Sequence, residues 1–87
     1  MGKVVTNILI VDDSKYIRTV VKEKISQMLK ANVFMAKSLE EANRFIRRNK
    51  FDIAILDVHL PDANNGEVID LALEYDIPVI VLSSGIN

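Results

Sequence analysis

The most constraining feature of this sequence is an apolar run that ends in a carboxylate. Residues Ile53–Leu56 are continuously apolar and rich in Ile and Leu, which is typical of a strand buried on both faces of a sheet. Asp57 follows directly, and Pro61 indicates that the strand ends soon afterwards. Open α/β sheets bind ligands outside the carboxyl ends of their strands. Asp57 is therefore a candidate functional residue, although Asp is also common where a turn begins.

Three further apolar segments are predicted strands. They are Ile8–Val11, Val33–Ala36 and Ile77–Leu82. The first is followed by Asp12 and Asp13, so a second strand also ends in carboxylates.

Apolar residues at helical spacing predict a helix after each of the first three strands. Ser14 is a candidate N-cap for the first helix, and Ser38 with Glu41 resembles a capping box that opens the second. The basic run Arg47–Lys50 is expected to end that second helix as a solvated turn. The predicted apolar stripes are Ile17, Val20, Val21, Ile25, Met28 and Leu29; Leu39, Ala42, Phe45 and Ile46; and Val68, Leu71, Ala72 and Tyr75.

The alternation of strands and helices predicts an α/β fold. Short connections between them favour right-handed crossovers and a parallel sheet that helices cover. The 87 residues are enough for a single domain, which we expect to span residues 1–87. Its core should include Phe34, Phe45 and Phe51.

The composition excludes several functional classes. Lys and Arg total 11 and Asp and Glu total 12, so no net basic field favours direct binding to nucleic acid. The absence of cysteine rules out disulfides, thiolate metal sites and thiol catalysis, and fits a reducing compartment. No run approaches the length of a membrane span, and no signal peptide is recognisable. We therefore expect a cytoplasmic protein that does not contact membranes.

Oxygen-bearing side chains follow three of the four predicted strands, because Ser83 and Ser84 come after the last one. The carboxyl ends of parallel strands share one edge of the sheet. If the first and third strands are neighbours, Asp12, Asp13 and Asp57 crowd together and repel unless a cation neutralises them. Mg²⁺ suits such oxygen ligands, and a carboxylate at the site can then attack phosphorus.

These motifs together resemble the receiver domains of response regulators in two-component signalling. The resemblance is carried by the segments Val11–Ser14, Leu56–Asp57 with Leu60–Pro61, and Val79–Ser84, and it covers essentially the whole chain. It implies a flavodoxin-like parallel sheet with helices on both faces and the strand order 2-1-3-4, with a fifth strand beyond. It also implies a phosphoacceptor that at most phosphorylates and dephosphorylates itself, not an enzyme that turns over a separate substrate.

The resemblance assigns a role to each candidate residue. Asp57 is the phosphoacceptor and holds Mg²⁺ together with Asp12 and Asp13. The backbone carbonyl of His59 is a further metal ligand, whereas its ring is expected to be an exposed loop side chain. Ser83 contacts the phosphoryl group. The implied phosphodonor is a phosphohistidine on a sensor histidine kinase or a histidine phosphotransfer protein.

The sequence departs from the family pattern in three places. It stops at Asn87, so we expect an incomplete receiver that lacks the fifth strand, its Lys and the last two helices. Gly66 lies one residue farther from Asp57 than is common in the family. Ser84 stands where the family favours a small residue that is often Ala. A bare fourth strand, with the sheet face above Val79 and Val81 uncovered, would favour self-association at its edge or else leave the chain marginally folded alone.

Other functions remain to be considered. A flavodoxin-like cofactor binder would place hydroxyls and backbone N–H groups in the first loop, where this chain has Asp12 and Asp13. A phosphatase of the haloacid dehalogenase type would have a second acid at the position of His59. The main alternative is a degenerate or fragmentary receiver that binds partners without being phosphorylated.

Overall fold

A computed structural model of the chain describes residues 5–82. Its strands are β1 (Thr6–Val11), β2 (Ala31–Ala36), β3 (Ile53–Asp57) and β4 (Val79–Leu82). Its helices are α1 (Lys15–Met28), α2 (Leu39–Arg48) and α3 (Glu67–Glu74). The predicted alternation is confirmed, and none of these helices is long and apolar enough to cross a membrane.

The strands form one parallel sheet in the order β2-β1-β3-β4. This order confirms the flavodoxin-like fold that the resemblance implies. The step from β2 back across β1 to β3 makes β1 and β3 neighbours, with Val11 paired to Leu56. The two strands therefore end side by side, as the predicted carboxylate cluster requires.

Helices cover both faces of the sheet. The larger core lies between the sheet and the pair α2 and α3, and includes Leu9, Val11, Leu56, Val68 and Ala72. The opposite face packs against α1 through Ile8, Ile10 and Ile55. Strand residues alternate between faces, so both faces of β1 and β3 are apolar, which explains the continuous runs in the sequence.

Helix α1 begins as predicted but packs less deeply. The Ser14 hydroxyl accepts a hydrogen bond from the Ile17 N–H at 3.3 Å, which confirms the N-cap. No residue of α1 is fully buried, and Val21 and Ile25 make its contacts with the apolar cluster. The prediction that Met28 and Leu29 continue the buried stripe is wrong, because their side chains are 77% and 42% exposed, in the last turn and at the C-cap.

Helix α2 is capped at both ends by residues that the sequence pattern indicates. The Ser38 hydroxyl accepts from the Glu41 N–H at 3.2 Å, while the Glu41 carboxylate accepts from the N–H of Lys37 and not from that of Ser38. Asn49 ends the helix, and both its backbone N–H and its side-chain amide donate to the Phe45 carbonyl. The capping box is therefore present with its return bond shifted by one residue.

The three phenylalanines form a cluster of edge-to-face contacts beside α2. The Phe34 ring lies 5.4 Å from that of Phe45 and 5.1 Å from that of Phe51. Phe51 is buried, whereas the other two are half-buried against the larger core. The core assignment of these residues is confirmed with this difference in depth.

The loop between β3 and α3 folds back on itself. Leu60 and Ala63 exchange two backbone hydrogen bonds, of 3.2 and 3.1 Å, and both side chains are buried. Gly66 then opens α3 with a φ of 75°, a left-handed conformation that favours glycine. Its N–H donates to the Val58 carbonyl at 3.2 Å. These bonds define the path of the lengthened loop.

Strand β4 lies at one edge of the described sheet. We expected Val79 and Val81 to be uncovered, but Val79 packs against the larger core and is half-buried. The exposed apolar residues are Ile80 at 49% and Val81 at 48%, on opposite faces of the strand. Tyr75, predicted for the buried side of α3, is the C-cap of that helix and is 47% exposed.

Candidate functional site

Three carboxylates meet at the carboxyl edge of the sheet. Asp12 follows β1 and Asp57 ends β3, and the pairing of Val11 with Leu56 brings these two positions level. Each of Asp12, Asp13 and Asp57 offers a carboxylate oxygen that lies within 4.8 Å of the other two. Asp12 is 2% exposed and Asp57 is 4% exposed, while Asp13 faces solvent. The predicted cluster is therefore present.

The Asp12 carboxylate is only partly satisfied by hydrogen bonds. Its Oδ1 atom accepts from the Ser14 N–H at 2.8 Å. Its Oδ2 atom is buried and has no hydrogen-bond partner within residues 5–82. Burial raises the pKa of Asp12, and the neighbouring charges of Asp57 and Asp13 raise it further, against the lowering effect of the Ser14 N–H. The site thus holds an excess of negative charge that a cation can neutralise.

Arg18 places a positively charged side chain beside Asp12, and the sequence did not assign this residue to the site. Its guanidinium donates to the Asp12 carbonyl at 2.8 Å, and its positive charge opposes the rise in the pKa of the Asp12 carboxyl. A signal was available, because helix side chains lean toward the N-terminus and Arg18 lies one turn after the Ser14 cap.

The backbone of His59 holds the Asp57 carboxylate in place. The His59 N–H donates to Asp57 Oδ1 at 3.1 Å. The His59 ring turns toward the lengthened loop, where Nδ1 lies 3.0 Å from the side-chain oxygen of Asn64 and 3.3 Å from its carbonyl. The side chain of His59 is exposed, as expected.

Asp62, in the loop that follows Asp57, is a second residue that the sequence did not single out. Its carboxylate oxygens accept from the backbone N–H groups of Leu39 at 2.9 Å and Glu40 at 3.1 Å. The bond from Leu39 is the main cause that lowers the pKa of Asp62. Asp62 therefore carries a negative charge at the N-terminus of α2.

The predicted phosphoryl contact Ser83, and Ser84 beside it, lie outside the described residues. The last described residue of β4 is Leu82, which pairs with Asp57 in the parallel register. The described part of the site therefore comprises the acidic cluster and the loop that contains His59.

This arrangement defines a class of protein. It is a parallel α/β domain with buried carboxylates at the carboxyl ends of two adjacent inner strands, where such sheets carry their chemistry. The oxygen ligands suit a hard divalent cation.

Comparisons with known proteins identify the family. The model of the response regulator receiver domain matches residues 8–87, and the chain belongs to this family. The chain is 35% identical to the transcriptional regulatory protein YvrH of Bacillus subtilis and 32% identical to the two-component response regulator ARR18 of Arabidopsis thaliana. These alignments cover 90% and 88% of this chain, but only 33% and 12% of the two relatives.

A solved structure supports the same assignment. The non-phosphorylated HemR receiver domain of Leptospira biflexa superposes with a TM-score of 0.79 at 31% identity, over 94% of this chain and 67% of that one. The chain is therefore a receiver domain of the type found in two-component response regulators.

Proposed function

We propose that this receiver domain accepts a phosphoryl group on Asp57 in a reaction that requires Mg²⁺. The observation that carries the proposal is the convergence of Asp12, Asp13 and Asp57, whose oxygens lie within 4.8 Å of one another. Three carboxylates at such distances repel, so their arrangement favours a bound divalent cation. The buried Oδ2 atom of Asp12, which has no hydrogen-bond partner within the described residues, can bind such a cation.

The three carboxylates and the backbone carbonyl of His59 are the proposed ligands of Mg²⁺. The bound ion would neutralise the carboxylates and the oxygens of an incoming phosphoryl group. Backbone N–H groups of the described residues orient two of the ligand carboxylates. The His59 N–H fixes the rotation of the Asp57 carboxylate through Oδ1, and the Ser14 N–H does the same for Asp12.

In the proposed step, a carboxylate oxygen of Asp57 attacks the phosphorus of a phosphohistidine. A new P–O bond forms, the P–N bond breaks, and its electron pair returns to the imidazole of the donor. The product on this chain is an acyl phosphate at Asp57, and a sensor histidine kinase or a histidine phosphotransfer protein supplies the phosphohistidine. The proposal retains Ser83 as a contact of the phosphoryl group.

Several further assignments belong to the same proposal. Residues 1–87 act as one receiver unit, located in the cytoplasm, and the chain functions as a phosphoacceptor and not as an enzyme with a separate substrate. The balance of 11 basic and 12 acidic residues supports partners other than nucleic acid. The exposed Ile80 and Val81 on the edge strand β4 support self-association through that edge.

The test is to incubate the folded chain with acetyl phosphate and Mg²⁺ and to measure its intact mass. We expect the addition of one phosphoryl group that is stable in acid and labile in base, as an acyl phosphate is. Asp57→Asn should abolish the addition. Asp52→Asn should not, because Asp52 precedes β3, at the end of the strand away from Asp57. Stoichiometric phosphorylation of Asp57→Asn at another carboxylate would contradict the assignment. No modification of the natural sequence would favour the phosphorylation-independent interaction module.

A further inference from the structure

The tip of the loop between β3 and α3 is tied to another element of the fold. Asp62 lies in the turn between Leu60 and Ala63, which exchange two backbone hydrogen bonds. Its carboxylate accepts from Leu39 and Glu40, the first two residues of α2, at 2.9 and 3.1 Å. The tie joins segments that lie 23 and 22 residues apart in the chain.

This tie spans the end of the strand that carries Asp12. In the sheet order, β1 lies between β2 and β3. Helix α2 follows β2, and the loop follows β3, so a bond between α2 and the loop connects the two strands that flank β1. Asp12 is joined to the same frame, because its N–H donates to the carbonyl of Ala36, the last residue of β2, at 3.1 Å.

At its other end, the loop leads directly to the second buried carboxylate. The His59 N–H donates to Asp57 Oδ1, and the next residue, Leu60, is only 2% exposed. Leu60 and Ala63, on either side of Asp62, are both packed into the larger core, so the short segment from His59 to Asp62 is joined to the body of the domain.

We propose that Asp62 is a positioning residue for the Mg²⁺ site. By tying α2 to the loop, it holds the segment of Asp57 and His59 at a fixed separation from Asp12. This inference rests on the proposed function, because it assumes that these groups bind Mg²⁺ together. Ser38 accepts only from the Glu41 N–H, and Asp62 accepts from the N–H groups of Leu39 and Glu40 that Ser38 leaves free. Because Asp62 comes from the loop after β3, this part of the cap also couples α2 to the segment of the proposed metal site.

The first test is a titration of the whole chain with Mg²⁺. We expect Asp62→Ala to weaken the affinity by about threefold, which is less than the 10–100-fold effect of groups that bond a metal ligand directly, because Asp62 bonds none of the proposed ligands. Asp52→Ala is the matched control. The Asp52 carboxylate also accepts a hydrogen bond from a backbone N–H, that of Asn7 at 2.8 Å. This bond lies at the amino ends of the strands, away from the acidic cluster. Asp52→Ala should leave the affinity for Mg²⁺ unchanged.

A second variant keeps the test decisive if Asp62→Ala does not fold. Asp62→Asn retains one acceptor oxygen and should weaken Mg²⁺ binding less than the alanine variant does. Thermal melts of all variants measure the stability separately. If the folded Asp62 variants bind Mg²⁺ as tightly as Asp52→Ala does, Asp62 is only a structural cap and the inference is wrong.

A measurement without metal separates this inference from the proposed function. The tie should protect the amides of His59 and Asp12 from hydrogen exchange, since each donates a bond within the frame that Asp62 closes. Asp62→Ala should therefore speed exchange at both amides, whereas Asp52→Ala should not. If the natural sequence binds no Mg²⁺, the proposed function fails, and equal exchange rates in the two variants would then also refute the positioning role of Asp62.

Discussion

Replacing Asp12 by Asn should stabilise the metal-free domain, because the fold buries this carboxylate without satisfying it. Asp12 is 2% exposed and its Oδ2 atom has no hydrogen-bond partner in the described range. Asn keeps an oxygen for the Ser14 N–H and places an NH₂ donor where the unpartnered oxygen lies. The substitution also removes one of three clustered negative charges, so the repulsion from Asp57 and Asp13 is relieved.

The expected gain follows from the cost of a buried polar atom without a partner. That cost is about 1–3 kcal/mol, and Asp12→Asn should raise the free energy of unfolding by a similar amount at pH 7. For a domain of this size, ~1 kcal/mol corresponds to a shift of roughly 4–8 °C in Tm. The variant should therefore melt at least several degrees higher than the natural sequence in a buffer containing a chelator.

Mg²⁺ should reduce or reverse the difference in Tm between the two proteins. At 100 times its Kd, a ligand that binds only the folded state stabilises it by about 2.7 kcal/mol. The natural sequence should receive this stabilisation, whereas Asp12→Asn should lose most of it because one charged ligand is gone. The two melting temperatures should therefore approach or cross as Mg²⁺ is added.

The pH dependence gives a second check on the same residue. The pKa of Asp12 is raised in the folded state, so the folded domain binds this proton more tightly than the unfolded chain does. The protonated carboxyl therefore favours folding at low pH, and this contribution is lost as the pH rises through the folded-state pKa. The advantage of Asp12→Asn should appear at neutral pH and vanish below the unfolded-state pKa.

Thermal melts with chelator and with increasing Mg²⁺ measure these effects, with Glu23→Gln on the exposed side of α1 as the control. The control should change stability by no more than about 0.5 kcal/mol. A lower Tm for Asp12→Asn in chelator would refute the claim that the carboxylate is uncompensated. An undiminished response of the variant to Mg²⁺ would refute its role as a ligand.

Two further predictions concern the site and the sheet edge. Asp13→Ala should weaken Mg²⁺ binding more than Glu67→Ala, which removes a carboxylate at the start of α3 outside the cluster; equal affinities by titration would contradict this. The chain should self-associate at micromolar concentration through β4, since burying ~300 Å² of apolar surface contributes roughly 7 kcal/mol before the entropy of association is subtracted. Light scattering should show less association for Ile80→Lys, and a stable monomer of the natural sequence would refute the prediction.

Local patterns predicted the elements of this fold well. Apolar runs correspond to the strands, and the hydroxyls of Ser14 and Ser38 cap the helices that they were expected to cap. Caps depend on residues three positions apart, which a sequence displays directly. Met28 and Tyr75 were predicted to be buried but are exposed. Periodicity identifies the apolar face of a helix, but it does not show how far along the helix the sheet covers that face.

The acidic cluster was predicted from the strand ends together with the assumption that β1 and β3 are neighbours. Only the folded sheet decides that adjacency, because strand order depends on how the crossovers pack and not on any local sequence signal. The same limit explains why Asp62 was missed. Its partners Leu39 and Glu40 are more than 20 residues away. Every residue except proline has a backbone N–H, so the sequence does not indicate which N–H group Asp62 will bind.

The sequence by itself therefore determined which side chains this receiver domain can use. The carboxylates of Asp12, Asp13 and Asp57 stand directly after apolar strands, and both their chemistry and their position at strand ends can be read from the chain. The tertiary structure alone decided that Asp12 Oδ2 is buried without a partner and that Asp62 joins α2 to the loop after β3. Burial and long-range hydrogen bonds arise only when distant segments pack, so no local pattern encodes them.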